Sequence, residues 1–104
     1  MSKANLANSQ LSGSNMEGVP LEGTILTGAN LIRTDFTRAN LRRANLSNAD
    51  LRGANLEGAN VTNATLRNAD LTGTKLHHTA FNGADMAGGH RMSSVTGSIP
   101  ALGH

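Results

Sequence analysis

A large apolar residue stands at every fifth position of this chain, and that period limits what the chain can fold into. The pattern is purest over residues 39–61, which read Ala-Asn-Leu-Arg-Arg, Ala-Asn-Leu-Ser-Asn, Ala-Asp-Leu-Arg-Gly, Ala-Asn-Leu-Glu-Gly, Ala-Asn-Val. With the apolar residue taken as the centre of each unit, the centres run without a slip from Leu6 through Leu11, Met16 and Leu21 to Phe81 and Met86. The frame breaks at Arg91. On an α-helix every fifth residue advances by about 140°, so the centres would scatter around the cylinder. On a flat strand five is odd, and successive centres would alternate between faces. The chain must turn a corner in every unit, so that each centre is redirected inward.

The remaining positions agree. Two before the centre the residue is small, as at Ala29, Thr34, Ala39, Ala44, Ala49 and Ala54. A small and a large residue two apart point to the same side of an extended segment, so both face one narrow interior. The residue before the centre is usually Asn or Asp, whose side chain bonds to nearby backbone in turns. The residue two after the centre is Gly at positions such as 13, 18, 23 and 28, with Asn or Arg elsewhere. Such residues suit a corner.

These Ala-Asn/Asp-Leu-X-X units resemble the pentapeptide repeat family, over residues 4–88. The resemblance implies an all-β fold, a right-handed quadrilateral β-helix of a little over four coils, in which four units make one square coil. Residues twenty apart would then stack: Leu6 under Leu26, Leu46, Leu66 and Met86, and Leu11 under Leu31, Leu51 and Leu71. Met16 would lie under Phe36, Leu56 and Leu76, and Leu21 under Leu41, Val61 and Phe81. Every column is apolar. One strand spacing per coil gives a rod roughly 20 Å long. Residues 1–88 are expected to form this solenoid, and 89–104 a Gly/Ser-rich tail that caps the rod or stays mobile.

Aromatic residues are limited to Phe36 and Phe81 in 104 residues, which suits a narrow core and leaves no stacking surface for bases. Cysteine is absent, so disulfides, thiolate nucleophiles and sulfur-rich metal sites are excluded. The start, Met1-Ser2-Lys3-Ala4-Asn5, has no apolar core of a signal peptide, and no stretch is long and apolar enough to span a membrane. A soluble cytoplasmic protein is the expectation, with no cofactor and no catalytic or metal site.

Three groups of polar residues invite a functional reading. Arg33, Arg38, Arg42, Arg43 and Arg52 fall within one coil's length, and Arg38, Arg42 and Arg43 are the ones able to crowd one side as a partner-binding patch. A net charge of +2 is too small to announce nucleic-acid binding, and Glu22, twenty residues before Arg42, is expected to offset it. Asp50 and Asp70 should stack as a mildly unfavourable like-charge pair, but both occupy the turn position, which accounts for them without catalysis. His77 and His78 are adjacent outward residues that diverge at a corner, so surface histidines are expected rather than metal ligands. The first ring, with Leu6, Leu11 and Met16, has no helix before it to serve as a cap. It is a second candidate partner surface and a route to a homodimer through a rod end.

The function expected is a non-catalytic rigid scaffold for protein–protein interaction. The alternative that the resemblance implies is mimicry of B-form DNA, modulating DNA gyrase. That role requires an acidic rod, whereas this chain is slightly basic and only about six base pairs long.

Overall fold

The computed structural model describes residues 3–87, and the tail assigned to 89–104 lies outside them. Each five-residue unit contributes one bridged residue, immediately before the centre, and two turn residues immediately after it. The bridges are parallel and link residues twenty apart, from Asn5↔Ile25 and Gln10↔Asn30 through to Asn60↔Ala80 and Thr65↔Asp85. Four units therefore close one coil. The sides carry single bridges rather than continuous strands, because a corner interrupts the extended chain every five residues. The path Asn5, Ile25, Asn45, Thr65, Asp85 makes four ladder steps. At about 4.8 Å per step they span about 19 Å, close to the rod length expected.

The backbone explains why each position has its residue type, since every buried N–H needs an acceptor. The N–H of the small residue after a corner donates to the preceding centre's carbonyl, as Ala44 does to Leu41 at 3.0 Å. This closes a β-turn. The residue before that N–H has positive φ, whether Gly (Gly53, 68°), Asn (Asn48, 62°) or Arg (Arg43, 57°). The N–H groups of the centre and of the corner residue rise to the next coil, as Leu41 to Asn60 (2.8 Å) and Arg43 to Thr62 (2.9 Å). The bridged residue's N–H descends to the previous coil, as Asn45 to Thr24 at 3.0 Å. One N–H per unit, that of the residue just after the centre, has no backbone acceptor within reach. The Asn or Asp before the centre accepts it through Oδ1: Arg42 N–H to Asn40 at 3.2 Å, Ser47 to Asn45 at 3.1 Å, Glu57 to Asn55 at 2.9 Å. That is the physical reason for the Asn/Asp-Leu signature.

Inside, the four columns of centres and the small residues beside them form one core. Leu21, Leu31, Phe36, Leu41, Leu46 and Leu51 are all 0% exposed. The buried threonines that replace alanine satisfy their hydroxyls, Thr34 on the Leu11 carbonyl and Thr74 on the Leu51 carbonyl, both at 2.9 Å. Leu6, Leu11, Met16 and Val19 pack against this core but remain partly exposed. Pro20 bridges Asn40 through its neighbours, the Asn40 N–H donating to the Val19 carbonyl at 3.1 Å and the Leu21 N–H to the Asn40 carbonyl at 2.7 Å, so its missing donor costs none of the described ladder bonds. No helix among the described residues is long and apolar enough to cross a membrane.

Candidate interaction surfaces

The arginine girdle is built on the corners. Arg33, Arg38 and Arg43 each occupy the corner position with φ 57°. A side chain other than Gly or Asn in this left-handed region costs of order 1–3 kcal/mol. The three corners are one unit apart, so they fall on successive edges of the square, and the structure does not gather Arg38 and Arg43 on one side. Their stems lean along the rod toward the next coil. The Cγ of Arg38 lies 3.1 Å from where a Cβ on Gly58 would stand, and that of Arg33 lies 3.3 Å from the same point on Gly53. Glycine above Arg33 and Arg38 thus leaves room for the arginine stem, whereas Asn63 stands above Arg43.

Most of the girdle's charge is matched. Arg38 pairs with Glu17, and Arg43 with Glu22 at 3.0 Å. This corrects the expectation that Glu22 would offset Arg42. The bridges set Cα neighbours twenty apart, but a long corner side chain reaches the diagonal neighbour twenty-one apart. Arg42, just after its centre, is half-buried, and its Nε has no hydrogen-bond partner among the described residues. Of the proposed trio, then, two cations are neutralised by the coil below and the third lies partly against the wall.

Asp50 and Asp70 are bridged as expected, but their repulsion is relieved. Arg52 donates to both carboxylate oxygens of Asp50, with Nη2 to Oδ2 at 2.7 Å, and its Nε stands 4.0 Å from Asp70 Oδ2. The Arg52 bonds hold the Asp50 carboxyl below the ordinary carboxylate range, and Asp50 in turn raises Arg52. Asp35 is also lowered, chiefly by the Thr37 hydroxyl and then by the Thr37 N–H. Both aspartates also accept the turn N–H two residues on, at 3.2 Å for Asp50 and 3.1 Å for Asp70. His77 and His78 are exposed, and no three potential metal ligands converge among the described residues.

Two features escaped sequence reasoning. Ile25 occupies the position of an Asn or Asp and is 39% exposed, the one large hydrophobic side chain so exposed among the described residues. Its identity in the register was the available signal. Arg67 pairs with Asp85 at 2.8 Å, eighteen residues away, on another diagonal. The N-terminal candidates Leu6, Leu11 and Met16 come together as one half-exposed ring with Val19.

The comparisons with known proteins fit this architecture. The family profile described as pentapeptide repeats matches in 8 copies, over residues 1–28, 19–53 and 49–88. A search of curated proteins finds no match. Among solved structures, Rfr23, a pentapeptide repeat protein from the cyanobacterium Cyanothece 51142, is 39% identical with a TM-score of 0.82, over 94% of this chain and 63% of that one. The chain thus spans under two thirds of that relative's length. The pentapeptide repeat protein AT2G44920, from the Arabidopsis thaliana thylakoid lumen, is 32% identical with a TM-score of 0.52, over 90% of this chain and 68% of the other. QnrB1, a plasmid-mediated fluoroquinolone resistance protein, matches at 20% identity and a TM-score of 0.50, over 94% and 62%, and shares the fold alone. With the five-residue register, the twenty-residue bridges and these matches in agreement, the chain belongs to the pentapeptide repeat family.

Proposed function

We propose that the chain is a non-catalytic scaffold, a right-handed quadrilateral rod in the cytoplasm that binds another protein through its outer faces or an end. The observation that carries the reading is the regular ladder from Asn5 to Asp85, which fixes four sides of outward side chains at set spacings around a sealed core. A solenoid so built supplies an extended rigid surface rather than a site of reaction. The candidate contacts are the exposed Arg38 and Arg43 edges, Arg42 between them, and the ring of Leu6, Leu11 and Met16.

DNA mimicry fits the observed charges less well. Glu17, Glu22, Asp50 and Asp85 are each held by an arginine, so the surface alternates in sign instead of presenting rows of free carboxylates. The likeness to QnrB1 carries no function at its level of identity.

The test is retention of a stoichiometric protein from the native source on the immobilised chain. It should be lost on Leu11→Lys with Met16→Lys, or on Arg38→Glu with Arg43→Glu, while each variant still melts cooperatively. Retention of no such protein, or inhibition of a type II topoisomerase in competition with DNA, overturns the reading.

A further inference from the structure

We propose that Asn82 is a site of spontaneous covalent modification, at which the side-chain amide is displaced by the Gly83 nitrogen through a cyclic imide, leaving aspartate or isoaspartate on the outside of the solenoid.

The reaction depends on the backbone nitrogen that follows an asparagine. That nitrogen gives its proton to a base in solution and attacks the asparagine Cγ. A C–N bond forms, the Cγ–Nδ2 bond breaks, and Nδ2 leaves as ammonia with a proton taken from water. Water then opens the imide at either carbonyl. Opening at Cγ gives aspartate in an ordinary chain, and opening at the main-chain carbon gives isoaspartate, with the chain routed through the side chain. The net change turns asparagine and water into acid and ammonia, with no oxidant or reductant. A folded chain opposes it in two ways: by holding the attacking N–H in a hydrogen bond, and by crowding the ring with a side chain on the following residue.

The chain has twelve asparagines, and after eleven of them the following N–H is engaged. Before a centre it rises to the next coil, as Leu41 to Asn60 after Asn40 (2.8 Å) and Leu56 to Lys75 after Asn55 (2.9 Å). At a corner it closes the turn, as Ala49 to Leu46 after Asn48 (3.1 Å) and Ala64 to Val61 after Asn63 (2.9 Å). Asn82 occupies neither position. It follows the centre Phe81, and the N–H after it, that of Gly83, has no acceptor among the described residues.

The side chains point the same way. Asn82 and Gly83 are both exposed, and they form the chain's one Asn–Gly pair. The Asn82 amide makes no hydrogen bond among the described residues, whereas Oδ1 of Asn40, Asn45 and Asn55 each accepts a turn N–H. The corner at 83 selects glycine, because φ is 70° and the Asn63 Oδ1 occupies the place of a Cβ. The residue that fits the corner is thus also the one that leaves the ring uncrowded.

Each product changes this corner. Aspartate at 82 adds a negative charge at neutral pH to the outward column of Glu22, Arg42 and Thr62. Isoaspartate lengthens the main chain by one atom there. It should break the turn bond from the Ala84 N–H to Phe81 (2.9 Å) and the bond from the Asn63 N–H to the Asn82 carbonyl (2.8 Å).

The experiment incubates the folded chain at mildly alkaline pH and maps its peptides by mass spectrometry, beside the same chain in denaturant. Two variants accompany it, Asn82→Gln and Glu57→Asn. The second places the same dipeptide at 57–58, where the Gly58 N–H donates to the His77 carbonyl at 3.0 Å. The folded parent should accumulate aspartate and isoaspartate at position 82 and at no other asparagine, and Asn82→Gln should lose that signal. In folded Glu57→Asn, position 57 should stay intact while position 82 reacts, and in denaturant both should react. A folded parent that keeps its amide at 82 while the denatured chain loses it would overturn the proposal. So would equal loss at 57 and 82 in the folded variant, or loss at another asparagine as fast as at 82.

Discussion

Leu11 and Leu31 occupy the same column, each after an amide side chain and each followed by a corner, yet Leu31 is 0% exposed and Leu11 is only half-buried. The difference runs through the two regions they belong to. In the first coil Leu6, Leu11 and Met16 face a neighbour on one side only. From Leu26 to Leu66 every centre lies between two coils and is at most 1% exposed. The local structure is the same in both regions, with the same turn bonds, the same positive-φ corners and the same Asn Oδ1 contacts, as at Asn15 and Asn55. What differs is burial. A unit folds locally in the same way anywhere in the stack, but the coils on either side supply its hydrophobic stabilisation, about 1.5–3 kcal/mol for a fully buried Leu.

The largest break in this comparison should come from a charge in a column. Leu51→Asp buries an unpaired carboxylate and should abolish cooperative folding of the middle coils. Leu11→Asp should remain folded, since its carboxylate can reach water. Thermal melts of the two variants check this, and equal stability would mean the register is wrong. Next come the corners. Gly58→Ala places a Cβ 3.1 Å from Arg38 Cγ at φ 68°, whereas Gly18→Ala at the same φ meets nothing within 4 Å. The first should cost about 2–3 kcal/mol and the second about 1 kcal/mol. Denaturant midpoints that do not separate the two would show that the packing of Arg38 against Gly58 is immaterial.

A smaller effect sharpens the account of the turn. Ile25 leaves the Thr27 N–H without the Oδ1 acceptor that Asn45 gives Ser47 one coil on. Ile25→Asn should therefore stabilise by about 0.5–1.5 kcal/mol, read as a higher denaturant midpoint. The smallest effect concerns acid. Because Arg52 lowers the Asp50 carboxyl in the folded chain, the stability it contributes is fully present above the ordinary carboxylate pKa of about 3.9 and is lost as pH falls through the lower folded value. Asp50→Asn should then melt with less pH dependence than the parent below about pH 4. Parallel acid limbs would show that the Arg52 contact is not felt in solution.

The five-residue period made most of the fold legible, because a side chain that must point inward at every corner leaves an unbroken apolar column in the sequence. The turn role of Asn40 or Asp50 was readable for a similar reason: its bond is to backbone two residues away and needs no tertiary neighbour. The surface was less legible. Glu22 was matched to Arg42 by counting twenty, but the arginine at the corner, Arg43, takes it. Asp50 and Asp70 were read as repelling because Arg52 does not share their position in the repeat.

The sequence by itself determined the register and the inward and outward positions, since both follow from local spacing that no distant residue can alter; the four-unit coil was implied by the resemblance and is carried by the twenty-residue bridges. Only the tertiary structure decided which charges neutralise one another and which ring stays half-exposed. Each of these depends on the coil above or below. Side chains such as those of Arg38 and Arg67 choose among neighbours that lie eighteen to twenty-one residues away along the chain.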